Sequence, residues 1–232
     1  MNAEPLEILY EDNHCVAIAK PSGVTCAHFQ GEEETLDRTV KEYLKDKYKK
    51  PGNVFLGIVH RLDKPVSGVL LFARTSKAAA RLCEQFREGT VEKVYWAIVD
   101  GPVQKEAGTL EDWLRKNSET RRVDVLEPNT PGARQSLLHY QRRGTHGGLT
   151  WLEIRPQTGR THQLRVQLAH HGHPIYGDAR YGSVRTFGVG IALHARSLTF
   201  LHPVRYEPIT LTAELPDEWR ERFLPVLKEA RR

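Results

Sequence analysis

"GIVHRLDKPVSGVLLFARTSKAA", residues 57–79, places a charged loop between two apolar runs. Gly57 to Val59 form the first run and Val69 to Ala73 the second. Between them lie His60, Arg61, Leu62, Asp63 and Lys64, followed by Pro65, Val66, Ser67 and Gly68. Short apolar runs bounded by turn residues predict two strands flanking a tight crossing. An aspartate between an arginine and a lysine has two readings there. One is a surface ion pair, worth about 0 to 1 kcal/mol. The other is a carboxylate kept ionised by arginine, poised as a nucleophile on a loop that strands hold rigid.

Outward from this stretch, strands outnumber helices and occur in runs. "LEILYED" and "HCVAIAK" predict two strands joined by a turn at Asp12-Asn13. "TLDRTVKEYLKDKYKK" places Leu36, Val40, Tyr43, Leu44 and Tyr48 on one helical face, with Thr35 at its N-cap and Pro51-Gly52 beyond its end. Ser76 is expected to cap a second helix that stops at Gly89. "TVEKVYWAIVDG", "TRRVDVLE", "ARQSLLHYQRR" and "LTWLEIRP" read as strands. "THQLRVQLAHHG" reads as a helix capped by Thr161 and stopped by Gly172. "ALHARSLTFLHP" and "EPITLTAELP" return to strand, and "DEWRERFLPVLKEARR" is a terminal helix with Pro225 inside it. Runs of strands without strict alternation predict an α+β fold with a mostly antiparallel sheet flanked by helices. Residues 1–232 are expected to form a single domain.

The 232 residues suffice for a core without disulfides or metal. Cys15, Cys26 and Cys83 show no paired spacing, which fits a reducing, cytoplasmic location. No run approaches the length of a membrane span, so no membrane partner is expected. The net charge of +5 is unevenly spread. Residues 1–50 carry ten acids against seven Lys or Arg; residues 115–165 carry four acids against ten. The central excess favours a groove that follows a polyanion backbone.

A second constellation is "RPQTGRTHQLRVQLAHHGHPIYGDARYG", residues 155–182. A helix start beside Arg160 and Arg165 suits an anion, either a carboxylate such as Asp63 or a phosphate. His170, His171 and His173 lack metal-ligand spacing, so no metal is expected. Phosphate-loop and dinucleotide fingerprints are missing too, so no nucleotide cofactor is expected. Tyr95 and Trp96 face opposite sides of their strand, leaving one for the core and one for stacking on a flat ligand.

Taken together, "AIAKPSGV" (17–24), "HRLDKPVSG" (60–68), "KVYWAIVDG" (93–101) and "GRTHQLRVQLAHHGHPIYGDARYG" (159–182) resemble the RluA-type pseudouridine synthase family. The resemblance spans about residues 8–215 in order and spacing. It implies a mixed, largely antiparallel sheet with a central active-site cleft. It also implies cofactor-free isomerisation of uridine to pseudouridine in structured RNA, rRNA or tRNA. By position, Asp63 matches the catalytic aspartate and Tyr95 the tyrosine that stacks on the target base. Arg165 matches the basic partner of the aspartate, with Arg160 the nearest competitor. Arg61 matches the arginine that holds the base out of its helix. Lys20 and Gly23 match a motif of mainly structural role. His60, Arg160, Arg121 and Arg122 are further expected RNA contacts. Val66 stands where the commoner motif has Thr, which removes a hydroxyl. The sequence leaves no room for the S4-type domain that family members often carry, so RNA selection is expected to come from the catalytic domain, acting as a monomer. Two other readings remain open: an RNA-binding module without catalysis, and a glycosidase-like hydrolase. The hydrolase would need a second carboxylate, for which Asp178 is the nearest candidate.

Overall fold

The computed structural model describes residues 6–27, 35–120 and 122–228. In chain order the elements are β1 (Ile8–Glu11), β2 (Cys15–Lys20), α1 (Leu36–Lys47), β3 (Gly57–Ile58), β4 (Ser67–Ala73), α2 (Ser76–Glu88), β5 (Glu92–Asp100) and β6 (Ala107–Lys116). They continue with β7 (Val123–Leu126), β8 (Arg134–His146), β9 (Leu149–Pro156), α3 (Gln163–His170), β10 (Leu193–Leu201), β11 (Pro208–Thr212) and α4 (Asp217–Lys228). A short 3-10 turn covers Ala179–Tyr181. The fold is mixed, with a large, mostly antiparallel sheet and helices, as the strand runs predict. The chain divides into two compact units, one of Met1–Glu92 with Ala195–Glu214 and one of Lys93–His194 with Leu215–Arg232.

In the first unit the strand order is β1-β2-β4-β10, with β11 on β10 and β3 on β4. All seven residues of β4 are buried, which explains a continuous apolar run without alternation. Val69, Leu71 and Ala73 pack on Ala78 and Leu82 of α2 and on Leu198, Phe200 and Leu211. Gly68 has a positive φ of 117°, and a Cβ there would lie 2.2 Å from the Ala195 carbonyl oxygen. The Ser-Gly pair of the opening stretch therefore lets β10 approach β4. The charged loop is the return between β3 and β4, which pair antiparallel. Thr75, not Ser76, caps α2: its hydroxyl accepts the Ala78 N–H at 3.1 Å. Gly89 ends that helix in the left-handed region, as expected.

In the second unit the order is β5-β9-β8-β6-β7, antiparallel throughout. β6 was not legible in the sequence. Its inward positions read Leu110, Asp112 and Leu114, so a buried acid interrupts the apolar alternation. The acid is satisfied from α3 and its C-cap: Gln167 donates to Asp112 at 2.7 Å and His171, just past the helix, lies 3.2 Å from the same carboxylate. α3 begins at Gln163 with His162, and not Thr161, at its N-cap, where His162 adopts a left-handed φ of 52°. Trp219 and Phe223 of α4 close an aromatic cluster with Tyr176 and Phe187.

Candidate active site

The loop bearing Asp63 is gripped through its main chain. Lys20, the last residue of β2, is 2 % exposed. Its ammonium donates to the carbonyls of Pro21 (2.8 Å), Lys64 (3.0 Å) and Val66 (2.7 Å). Gly23 N–H also donates to the Lys64 carbonyl, and Val66 N–H closes a turn on the Asp63 carbonyl. The Cys26 thiol donates to the Leu62 carbonyl at 3.1 Å. Burial pulls the Lys20 pKa down to about 8, against the opposing pull of the negative charge on Asp63. Burial pushes the Cys26 thiol up, so it stays a donor. Asp63 itself is half-buried, and Arg61 and Lys64 are exposed on either side. His60 belongs to the framework: its Nε2 accepts the Leu71 N–H at 2.9 Å and its ring stacks on Phe86 at 4.7 Å.

Tyr95 and Trp96 divide as alternation predicts. Trp96 packs edge-on against Trp151, with centroids 4.9 Å apart, while Tyr95 faces the other side of β5 and is half-buried. Lys93 shares the Tyr95 face, two residues away. Burial lowers its pKa. It is a candidate the motif reading passed over, although simple alternation places it beside Tyr95.

Arg165 is held by its side chain. Its Nε and Nη2 donate to the two oxygens of Asp178 at 2.7 and 2.9 Å, and the guanidinium lies 5.2 Å from the Tyr181 ring centre. Arg165 and Asp178 are 5 % and 1 % exposed. A fork-to-fork pair of this kind fixes orientation as well as charge. Asp178 is thus the anchor of Arg165. With both oxygens taken in a buried site, it is poorly suited to serve as the second carboxylate of a hydrolase. Both residues lie inside the 159–182 stretch, but Asp178 falls beyond α3 and no periodicity pairs it with Arg165.

Gln163 staples the turn before α3. Its Oε1 accepts from Thr158 and from Arg160 N–H, and its Nε2 donates to the Leu137 carbonyl. Arg160 is exposed, with Nε on the Gln135 carbonyl at 3.3 Å. Arg122 is exposed and stacks over Tyr181 at 5.3 Å. Arg121 lies outside the described residues. Arg142 and Arg143, part of the central basic excess, are already engaged: Arg142 donates to the Val103 carbonyl and Arg143 pairs with Glu153 at 3.0 Å.

Among the described residues one group has ligand atoms close enough for a metal: Asp12, Cys15 and His202. Its chemistry opposes that use. His202 Nδ1 accepts the N–H groups of Val204 and Arg205, so Nε2 carries the proton donated to Asp12 at 2.7 Å. Burial pushes the Cys15 thiol up to about 12. Both ring nitrogens are occupied and the thiol stays protonated.

Comparison with known proteins agrees with these features. The family model described as RNA pseudouridylate synthase matches residues 14–170. An uncharacterized RNA pseudouridine synthase of Synechocystis is 35% identical over 97% of this chain and 70% of its own length. The ribosomal large subunit pseudouridine synthase D of Xanthomonas campestris is likewise 35% identical, over 97% and 70%. The tRNA pseudouridine synthase C of Yersinia pestis is 33% identical over 93% and 88%. A solved structure titled human RNA pseudouridylate synthase domain containing 1 matches with a TM-score of 0.73 and 27% identity, covering 93% of this chain and 86% of that one. The chain therefore belongs to the RNA pseudouridylate synthase family, whose members are isomerases acting on RNA.

Proposed function

We propose that Asp63 is the nucleophile of this isomerase, that Tyr95 supports the target uracil ring, and that Arg165 is the cation serving the aspartate. The reaction breaks the N1–C1′ bond, turns the base and joins C5 to C1′; C5 gives up a proton and N1 gains one. Bonds and electrons balance within one nucleotide, so the chain's own groups suffice. Extruding the base costs a few kcal/mol of stacking. Arg61, exposed beside Asp63, and the aromatic face of Tyr95 offset that cost. Arg122 and Arg160 contact the RNA, as does Arg121, while His60 contributes by fixing the loop. The substrate is a structured rRNA or tRNA, in keeping with the names of the relatives. The chain acts as one cytoplasmic catalytic domain over residues 1–232 and as a monomer, which light scattering checks.

The observation that carries this reading is a half-buried carboxylate in a loop whose neighbouring carbonyls converge on one buried ammonium. An RNA-binding module has no need of that clamp. The test is Asp63→Asn, which keeps size and removes the nucleophile. Pseudouridine mapping in RNA from cells lacking the protein, treated with wild type or variant, should show sites formed by the wild type alone. Near-normal turnover by Asp63→Asn would remove the assignment.

A further inference from the structure

At the end of the β6–β7 hairpin, beneath the start of α3, lies a cavity of about 380 Å³. Leu114, Arg115, Lys116, Val123, Arg134 and Arg160 contribute to its wall, and no acidic residue does. Strand register explains the convergence. Leu114 and Lys116 are two apart on β6 and share a face. Arg134 stands directly across from Leu114, and Val123 across from Lys116, so all four share it. Leu114 and Val123 are buried against Val166 and Tyr181 and form the apolar floor. Lys116 and Arg134 are exposed at the rim. Arg160 reaches the same rim, held beside Arg134 by its bond to the Gln135 carbonyl.

The acid of β7 is turned away. Asp124 stands across from Arg115 on the opposite face, where Asn117 donates to it at 3.1 Å. Arg115 also braces the rim from that side, donating to the Pro131 carbonyl at 3.2 Å. Among the described residues, neither Lys116 nor Arg134 has an ion-pair partner, in contrast to Arg142, Arg143 and Arg155 of the same unit. Four like charges around one cavity, Arg115, Lys116, Arg134 and Arg160, repel each other, and an anion relieves that repulsion.

We propose that this cavity is a phosphate-holding site for the backbone of the RNA substrate, with Lys116, Arg134 and Arg160 as its cations. The inference rests on the RNA-isomerase reading and adds a site to it. Phosphate contacts fix register without reading sequence. The site therefore serves to position a stretch of RNA and takes no part in the chemistry.

The test compares wild type, Lys116→Ala/Arg134→Ala and the charge-keeping Lys116→Arg/Arg134→Lys, using an unmodified large-subunit rRNA transcript as probe. A control, Lys45→Ala/Lys77→Ala, removes the same formal charge from exposed positions of α1 and α2. Binding is measured across a salt series, and each phosphate contact contributes about 0.7 to 0.9 to the magnitude of the slope of log K against log salt. The alanine pair should flatten the slope by about 1 to 2, and both the control and the charge-keeping pair should retain it. A wild-type slope in the alanine pair, or an equal loss in the control, overturns the site. Asp63-dependent pseudouridine formation with an unchanged slope discards the cavity alone. A flattened slope with no pseudouridine formed in any cellular RNA discards the enzymatic reading and leaves the cavity as an RNA contact.

Discussion

The loop that carries Asp63 and the helix that carries Arg165 are braced differently, one through main-chain carbonyls and the other through a carboxylate on the guanidinium itself. Around Asp63 the protein holds backbone: a buried lysine collects three carbonyls, two of them from the loop that carries the carboxylate. On α3 it holds the side chain itself, with both oxygens of Asp178 on one guanidinium. The first arrangement holds the loop through bonds that do not involve the Asp63 side chain. The second ties orientation to charge compensation, because the same two hydrogen bonds supply both.

The largest effect should come from breaking the second arrangement. Asp178→Asn removes the anionic half of a buried, doubly hydrogen-bonded pair, and such a break costs about 3–5 kcal/mol. Urea unfolding should show that loss, and turnover should fall with it because the guanidinium loses its anchor. The sharper experiment is Arg165→Met with Asp178→Leu. Replacing a buried pair by apolar residues of similar volume is often neutral or stabilising. Stability should return while turnover stays lost. Recovery of turnover in the double variant would show that Arg165 serves only the fold.

Lys20→Met tests the first arrangement. It removes a costly buried charge together with the donors of three carbonyls, so the two changes offset in stability. The unfolding free energy should move by less than about 2 kcal/mol, while turnover falls at least about tenfold through a 1 Å-scale shift of the loop. The wild type supplies a pH arm. Above about 8 the lysine becomes an amine with two donors for three carbonyls, and turnover should decline. The same ionisation raises stability. The folded lysine titrates near 8 and a free one near 10.5, so between these values the unfolded chain binds more protons. Turnover that declines while stability from this group rises separates loop positioning from unfolding, and the Lys20→Met variant should lack the limb.

The two arrangements differed in how far they could be read from sequence. The strands of the first unit were legible because β2 and β4 are apolar almost without interruption. The Asp63 loop stood out as charge between them. β6 was hidden by Asp112, a buried acid whose partner, Gln167, is 55 residues away. The N-cap of α3 lies one residue beyond the expected Thr161, at His162, whose backbone turns left-handed. Arg165 was singled out by position in a motif, but its bond to Asp178 is a tertiary fact. Charge counts located the basic region without distinguishing Arg143, neutralised by Glu153, from Lys116 and Arg134. Only strand register separates them, and a one-residue slip reverses every face.

The smallest expected effect on turnover belongs to Asp12, a carboxylate held by its side chain like Asp178 but remote in sequence from every proposed catalytic residue. Its Oδ1 accepts the N–H groups of His14 and Cys15, and its Oδ2 takes Tyr10, His202 and Arg205. Burial pushes its pKa up, but these bonds outweigh burial and hold it well below the ordinary value of 3.8. A depressed carboxyl pKa contributes stability that is present above 3.8 and lost as pH falls through the folded value. Asp12→Asn keeps an acceptor for the two backbone N–H groups but turns an amide donor toward the His202 Nε2–H, or the reverse. Leaving that buried donor unpaired costs about 1–3 kcal/mol. Urea midpoints at neutral pH should drop accordingly, and the part of the acid-side slope due to Asp12 should vanish from the variant. Turnover at neutral pH should stay within about twofold of wild type, because this knot ties the β1–β2 turn to the β10–β11 turn and the Asp63 loop hangs from Lys20 instead. A large loss of turnover in a variant that still folds would show that the first unit transmits strain from this knot to the Asp63 loop, and the division between backbone-held and side-chain-held charge would then be too simple.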